Sequence, residues 1–264
     1  MDVKEFLSKE KCGSPYLKYS KNVYTQNGED GILEKILEEL NIDHGNVVEF
    51  GAWDGIYLSN VYRLWKYGNF KGILIESDSA RAKDFYGFEE KAKMFNYLIS
   101  PEKSNENSID NVLDKIGIEG EIAVMSIDID SCDYYVMESM EKYRPAIIII
   151  ETSNSYGPDE VYKSYDSGCS MRAVWDLSIK KGYSMVAYTA NAILVRNDLV
   201  YKLSEFDTKI GPEQMYINER QYLTISSCDD EGILGDVPFY LTDRYKKRIL
   251  NEYKKPEKYS KHEI

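Results

Sequence analysis

Hydrophobic positions along the chain alternate between the spacing of helices and the continuous runs of buried strands. Ile32, Leu33, Ile36 and Leu40 recur at helical spacing, which predicts an amphipathic helix over Glu29–Leu40. Short apolar runs predict strands over 46–50, 72–76, 93–99, 123–128 and 146–151. The segments between and after them predict helices over 58–65, 78–91, 107–117, 134–143 and Met171–Lys181, then a hairpin of Tyr183–Tyr188 with 192–195.

The order of these elements predicts an α/β fold. Alternating strands and helices with continuous apolar strands are typical of a mostly parallel sheet that is covered by helices on both faces. Ligands of such sheets bind outside the carboxyl ends of the strands. Four predicted strands end in or beside an acidic residue, namely Glu49, Glu76, Asp128 and Glu151. Carboxylates there would accept hydrogen bonds from hydroxyl or ammonium groups, or bind cations.

The loop after the first strand reads EFGAWDG over 49–55. Gly51 and Gly55 allow sharp turns, but Trp53 stands where a dinucleotide fingerprint requires a small residue. Glu49 and Asp54 would repel a pyrophosphate and would favour a cationic ligand without phosphate. Glu76 is placed to bind a ribose diol, which indicates a nucleoside. A carboxylate in that position does not by itself choose between NAD and S-adenosylmethionine.

The candidate catalytic residues are Asp128, Asp130 and Asp133, which follow the fourth strand. Alternation along a strand would place the first two on one face, about 7 Å apart. Proton removal from a hydroxyl needs a base or a metal-bound hydroxyl. Because His44 and His262 are the only histidines, carboxylates or a metal on carboxylates must supply this chemistry.

Composition and charge narrow the function classes. The 264 residues carry a net charge of −12 with 13% aromatic residues, which excludes a disordered acidic chain and argues against nucleic-acid partners. The longest aliphatic run is too short for a membrane span. Four scattered cysteines predict neither a disulfide scaffold nor a zinc site. No apolar leader is found near the start, so a cytoplasmic protein is expected. The segment 244–264 is basic, and its role is left open.

These motifs together resemble the FkbM-like class I S-adenosylmethionine-dependent methyltransferases. The resemblance rests on YTQNGED over 24–30, the glycine loop over 49–55, Glu76, SIDIDSCDYY over 126–135, and 147–154. A helix and hairpin over 170–195 complete it. It implies a doubly wound Rossmann-like sheet of about seven strands with the last strand antiparallel. The resemblance covers roughly 24–198, and because the sequence has no convincing domain boundary, a single domain over 1–264 is expected, with 199–264 as an extension of unknown role. The resemblance implies O-methylation of a sugar hydroxyl on a nucleotide-sugar, glycan or glycoconjugate.

The resemblance also implies site residues. The cofactor would be S-adenosylmethionine, held by Gln26, Glu29, Asp30, Glu49, Gly51, Ala52, Asp54, Gly55, Asn60, Glu76, Ser77 and Asp128. Some related enzymes hold a divalent cation after strands four and five, which corresponds here to Asp128 and Glu151, and oxygen ligands suit Mg²⁺. The acceptor would contact Tyr134, Glu151, Asn154 and Tyr165, in part through the long loop over 157–168.

Other functions remain open at this stage. A nicotinamide-dependent oxidoreductase would share the alternating pattern and Glu76. A non-catalytic nucleoside-binding module would present the same pocket. The acceptor, the need for a metal and the state of association, including a homo-oligomer, are not decided by these residues.

Overall fold

The fold is built on one mixed sheet of seven strands. We describe it from a computed structural model, which covers residues 13–21, 23–85 and 90–217. The strands are β1 (His44–Phe50), β2 (Asn69–Glu76), β3 (Ala92–Asn96), β4 (Ile122–Ile127), β5 (Ile147–Glu151), β6 (Tyr183–Tyr188) and β7 (Asn191–Arg196). Their order across the sheet is β3-β2-β1-β4-β5-β7-β6. Strands β1 to β5 pair in parallel, and β7 is antiparallel to both of its neighbours.

Helices connect the strands. They are α1 (Glu29–Leu40), α2 (Tyr62–Tyr67), α3 (Ser79–Asp84), α4 (Ile109–Ile116), α5 (Asp133–Ser139), α6 (Met171–Lys181) and α7 (Pro212–Met215). Two short 3-10 helices lie at Pro15–Tyr19 and Val200–Lys202. The predicted sheet of about seven strands with an antiparallel last strand is confirmed. The strand order, with the first strand inside the sheet between β2 and β4, defines a Rossmann-like α/β fold.

The order places the chain reversal of the sheet between β1 and β4. From β1 the chain moves outward to β2 and β3, and then crosses back to β4 on the other side of β1. Strands β1 and β4 are buried along most of their length, and Ile147–Ile150 of β5 are buried too. The carboxyl ends of four parallel strands therefore open a crevice at this switch point, which is where ligands of such sheets bind.

Three predicted elements, all of them helices, differ from those observed by four residues or more at one end. The helix predicted over 58–65 begins only at Tyr62, because Asp54 and Ser59 accept hydrogen bonds that hold 54–62 as a loop. The helix predicted over 134–143 ends at Ser139. The helix predicted over 78–91 extends over Ser79–Asp84 and Phe85 is its C-cap, while part of its remainder lies outside the described residues.

The segment before α1 is fixed by two buried carboxylates. Asp30 accepts backbone hydrogen bonds from Val23, Tyr24 and Thr25 at 2.8, 2.6 and 3.0 Å. Glu29 accepts from the backbone of Asn27 and from two side chains of the β6–β7 hairpin, Thr189 and Asn191. Burial raises the pKa of both carboxyl groups. These contacts tie the loop over 23–28 to the far end of the sheet.

The described part of the chain continues past the sheet to residue 217. Leu203, Met215 and Ile217 are buried there against the core. The single domain expected over 1–264 remains a prediction, since the basic segment 244–264 lies outside the described residues. Among the helices that the structure describes, none combines the length and the apolar character that crossing a membrane requires.

Candidate active site

A cavity of about 1290 Å³ opens at the carboxyl ends of β1, β2, β4 and β5. Predicted site residues that line it are Gln26, Glu49, Gly51, Ala52, Asn60, Glu76, Ser77, Asp128, Asp130, Glu151 and Asn154. Five of these are carboxylates, whereas Arg81 is the one cationic side chain among the described lining residues. The cavity is therefore lined mainly by acidic side chains, and those that are ionised favour a cationic ligand over a phosphorylated one.

Glu49 ends β1 with its carboxylate buried. One oxygen accepts the backbone N–H of Asn60 at 2.7 Å, and the other accepts the hydroxyl of Ser59. The Asn60 amide in turn donates to Ser126 at the end of β4. Burial raises the pKa of Glu49 to about 8, although both hydrogen bonds lower it. Glu49 thus joins the loop after β1 to the floor of the cavity.

The raised pKa of Glu49 predicts how stability depends on pH. The folded state holds this proton while the unfolded chain loses it, so stability falls as pH rises from about 4.5 through about 8. Thermal unfolding between pH 5 and 9 measures the slope. We expect Glu49→Gln to reduce the total fall in the free energy of unfolding over this pH range, by roughly 1.4 kcal/mol for each unit of pKa shift that it removes. The amide also costs a hydrogen bond, but that loss is the same at every pH.

A matched variant tests the same slope in the opposite direction. Ser59→Ala removes a hydrogen bond that lowers the pKa of Glu49, so the fall in stability should continue to a higher pH and its total between pH 5 and 9 should be larger. Equal slopes in the wild type and in both variants would mean that Glu49 titrates alike in the folded and unfolded chain.

Glu76 ends β2 and is buried at the opposite side of the cavity from β5. Its two carboxylate oxygens accept the backbone N–H groups of Trp53 at 2.9 Å and of Asp78 at 2.7 Å. A carboxylate has about four acceptor sites, so capacity remains for a ligand hydroxyl. Ser77 lies beside it in the lining. This arrangement suits a vicinal diol at the end of β2.

Three carboxylates meet at the ends of β4 and β5, and we call Asp128, Asp130 and Glu151 the acidic trio. One oxygen of each lies within 4.8 Å of the others. Burial, followed by repulsion from neighbouring acids, raises the pKa of Asp128 and of Glu151. Like charges this close do not all ionise without compensation. The trio therefore holds either a proton or a cation.

The prediction that Asp128 and Asp130 share a strand face is wrong. Strand β4 ends at Ile127, and Asp130 has a φ of +59° in a left-handed turn. This turn, and not the pleating of a strand, brings the carboxylates of Asp128 and Asp130 together. Their oxygens are therefore closer than the predicted 7 Å. Short polar residues such as Asp tolerate this conformation because their side chains bond locally.

Asp133 lies away from the cavity. Its carboxylate is fully buried and accepts the backbone N–H groups of Ile129 at 2.8 Å and Ser131 at 3.1 Å. It therefore closes the turn that carries the trio and does not line the cavity itself. Its predicted catalytic role is not tested by this placement, but the geometry gives it a positioning function.

Several other predicted residues also lie outside the described cavity lining. They are Glu29, Asp30, Asp54, Gly55, Tyr134 and Tyr165. Asp54 caps the backbone of Ile56 and Tyr57, and the two acids of α1 fasten the loop that carries Gln26. Tyr165, in the loop after β5, stacks on Tyr135 of α5 with ring centroids 4.0 Å apart. Asn154 does line the cavity, where it accepts the hydroxyl of Tyr188.

Two residues of the cavity wall were not singled out from the sequence as cofactor contacts. Trp53 and Arg81 are in direct contact, with the guanidinium carbon 3.3 Å from the centroid of the indole ring. Trp53 has a φ of +50° and is 43% exposed. The one sequence signal was an aromatic residue where a glycine loop normally has a small one.

The comparisons with known proteins give structural matches only. No family model matches the chain, and no curated protein matches it. Among solved structures, a candidate sarcosine dimethylglycine methyltransferase from Galdieria sulphuraria matches 58% of this chain and 58% of its own, at 13% identity and a TM-score of 0.37. LepI, solved in complex with SAM, matches 62% of this chain at 13% identity and a TM-score of 0.38.

A third match is CalO1, a methyltransferase in calicheamicin biosynthesis solved with SAH bound. It covers 62% of this chain at 10% identity with a TM-score of 0.35. The matched regions span only 46% of LepI and 53% of CalO1. Likeness at this level adds nothing to the fold, which follows from the strand order.

Proposed function

We propose that this protein is an S-adenosylmethionine-dependent O-methyltransferase that acts on a sugar hydroxyl of a nucleotide-sugar, glycan or glycoconjugate. The FkbM-like motifs support methyl transfer from this cofactor. The observation that carries the proposal is the acidic cavity at the switch point, with Glu76 at the end of β2 and the acidic trio at the ends of β4 and β5.

The lining fits a sulfonium nucleoside better than a dinucleotide. Five carboxyl groups line the cavity, and those of them that are ionised would repel the two phosphates of a nicotinamide cofactor while attracting a positively charged sulfur. Glu76 would accept the ribose hydroxyls. Gln26 and the backbone at Gly51 and Ala52 would line the methionine part. The cofactor would supply an activated methyl group.

The chain's own residues would handle the acceptor proton. The acceptor hydroxyl loses its proton as its oxygen gains the methyl group, and a carboxylate of the acidic trio takes that proton. A raised pKa makes Asp128 a stronger base than an exposed carboxylate and brings it nearer to neutral pH, whereas the pKa of Glu151 is raised further, so that Glu151 would mostly keep its proton there. A divalent cation on Asp128 and Glu151 would instead acidify the hydroxyl. Both forms use the same side chains.

Charge also bears on the acceptor. Arg63 and Arg172 pair with Glu34 and Asp176. Thr152, Ser153 and Ser155 are neutral hydroxyl-bearing residues of the lining after β5. These hydroxyl groups suit a glycan or glycoconjugate, and Arg81 is the described lining residue that could meet the phosphates of a nucleotide-sugar.

Calorimetric titration of S-adenosylmethionine and S-adenosylhomocysteine, with NADH as the control, tests the cofactor. We expect micromolar binding of both sulfur nucleosides and no binding of NADH. Transfer of labelled methyl to a panel of neutral glycans and nucleotide-sugars then tests the reaction, with EDTA and added Mg²⁺ as the metal controls. Binding of NADH alone would replace the proposal by an oxidoreductase. Cofactor binding without transfer to any acceptor would favour a non-catalytic binding module.

A further inference from the structure

The side chains of Trp53 and Arg81 join two segments of the chain whose backbones both contact Glu76. We call this pair the Trp53–Arg81 strap. Trp53 belongs to the loop after β1, and Arg81 lies in α3, which follows β2. Each loop also donates a backbone N–H to Glu76, from Trp53 and from Asp78. An ion pair between Arg81 and Asp78 at 3.7 Å completes the bridge. The strap thus joins the two segments that hold the carboxylate that would bind a ribose.

The backbone N–H of Trp53 holds Glu76, but a glycine at this position could donate the same hydrogen bond, so the fold does not need the indole ring. A bulky residue with positive φ is an outlier, and glycine adopts the same backbone without strain. The ring is 43% exposed and lines the cavity rather than packing in the core. An exposed cation–π contact with Arg81 offsets only part of such strain. Strained residues retained in this way cluster at ligand sites.

The position of the strap points to the nucleoside part of a ligand. Its loops follow β1 and β2, whereas the acidic trio follows β4 and β5. Strands β2 and β5 are three places apart in the sheet, which is roughly 14 Å at the usual strand spacing. A group that packs on the indole therefore sits beside the ribose hydroxyls on Glu76 and far from the reacting proton.

We propose that the Trp53–Arg81 strap is a nucleoside-binding element, in which the indole ring packs against the purine nucleoside of the ligand and Arg81 holds the ring in place. The inference rests on the proposed function for the identity of the ligand. According to this inference, Trp53 and Arg81 contribute to the affinity for the adenosyl group. They take no part in proton transfer, which belongs to the acidic trio.

Two ligands separate this role from the rest of the cavity. S-adenosylhomocysteine carries the nucleoside and the amino acid, while 5′-methylthioadenosine carries the nucleoside alone. Trp53→Gly removes the ring and suits the positive φ, so its thermal midpoint should be no lower than that of the wild type. We expect calorimetry to show dissociation constants about tenfold higher for both ligands, the size of a lost stacking contact. Trp53→Phe keeps a ring and should lose less than threefold.

Fluorescence gives a readout that does not depend on calorimetry. Trp65 is buried and Trp175 does not line the described cavity, so Trp53 is placed to respond to the ligand. Adding S-adenosylhomocysteine should change the emission of the wild type and of Trp175→Phe alike. The same addition should leave the emission of Trp53→Phe unchanged.

The outcomes distinguish the two proposals. If the wild type binds both ligands and Trp53→Gly binds them equally tightly, the strap has no binding role while the proposed function stands. A loss confined to S-adenosylhomocysteine would place the ring against the amino acid and would overturn the nucleoside assignment. If the wild type binds neither ligand, both the proposed function and this inference fail.

Discussion

Asp128→Asn is expected to lower the rate of methyl transfer by about 100-fold or more, the usual size of a lost general base. The amide keeps the shape of the side chain but neither takes a proton nor balances a cation. Affinity for S-adenosylhomocysteine should change by only a few-fold, because Glu76 and the loop after β1 hold the nucleoside side of the cavity. Single-turnover transfer measures the rate, and calorimetry measures the affinity.

The same substitution should not weaken the fold. Burial and the neighbouring acids raise the pKa of Asp128, so its ionised form destabilises the folded state at neutral and higher pH. Removing that charge should leave the thermal midpoint at pH 8 equal to or above that of the wild type. A stable, cofactor-binding variant without turnover would place Asp128 in the chemistry. Unchanged turnover would remove it from the site.

Asp130→Asn is the matched control within the acidic trio. Asn tolerates the positive φ of this position as Asp does, and Asp130 is the exposed member of the trio. Asp130→Asn should therefore lose much less methyl-transfer activity than Asp128→Asn if the less exposed Asp128 is the base. Equal losses, together with activity that EDTA abolishes and Mg²⁺ restores, would instead indicate a cation shared by the trio.

The sheet was predictable because its strands are short, continuous and apolar. The run of isoleucines in β5 is typical of a strand that is buried on both faces of an α/β sheet. The acidic residues at the strand ends were expected at the cavity because ligands of such sheets bind there. Glu49, Glu76, Asp128 and Glu151 were all placed at the cavity by this reasoning alone. Local periodicity was sufficient for these residues because a strand end fixes where its side chain lies.

Loop residues were less predictable because their partners lie far away along the chain. Glu29 reads as a cofactor contact in the motif over 24–30, yet it is buried against Thr189 and Asn191, 160 and 162 positions away. Asp133 reads as one more acid beside the trio, but its carboxylate turns inward to hold the backbone of Ile129 and Ser131. A motif gives residue types and spacing, not the direction of a side chain in a loop.

The closest backbone approach in the site predicts the largest effect on stability. Gly51 follows β1 with a φ of +76°, and a Cβ there would lie 1.7 Å from the carbonyl oxygen of Asp128. Gly51→Ala should lower the free energy of unfolding by about 2 to 5 kcal/mol, from left-handed strain and overpacking together. It should also displace Asp128 and abolish measurable binding of S-adenosylhomocysteine.

Gly117→Ala separates the two causes of that loss. Gly117 caps α4 with a similar φ of +72°, but nothing lies within 4 Å of its would-be Cβ. Its alanine variant should therefore lose only the conformational part, about 1 to 2 kcal/mol, and should bind ligand like the wild type. Urea unfolding of both variants gives the comparison. If Gly51→Ala proves as stable as Gly117→Ala, the loop after β1 and the turn after β4 do not meet as closely as described, and the acidic trio is not held in place by that contact.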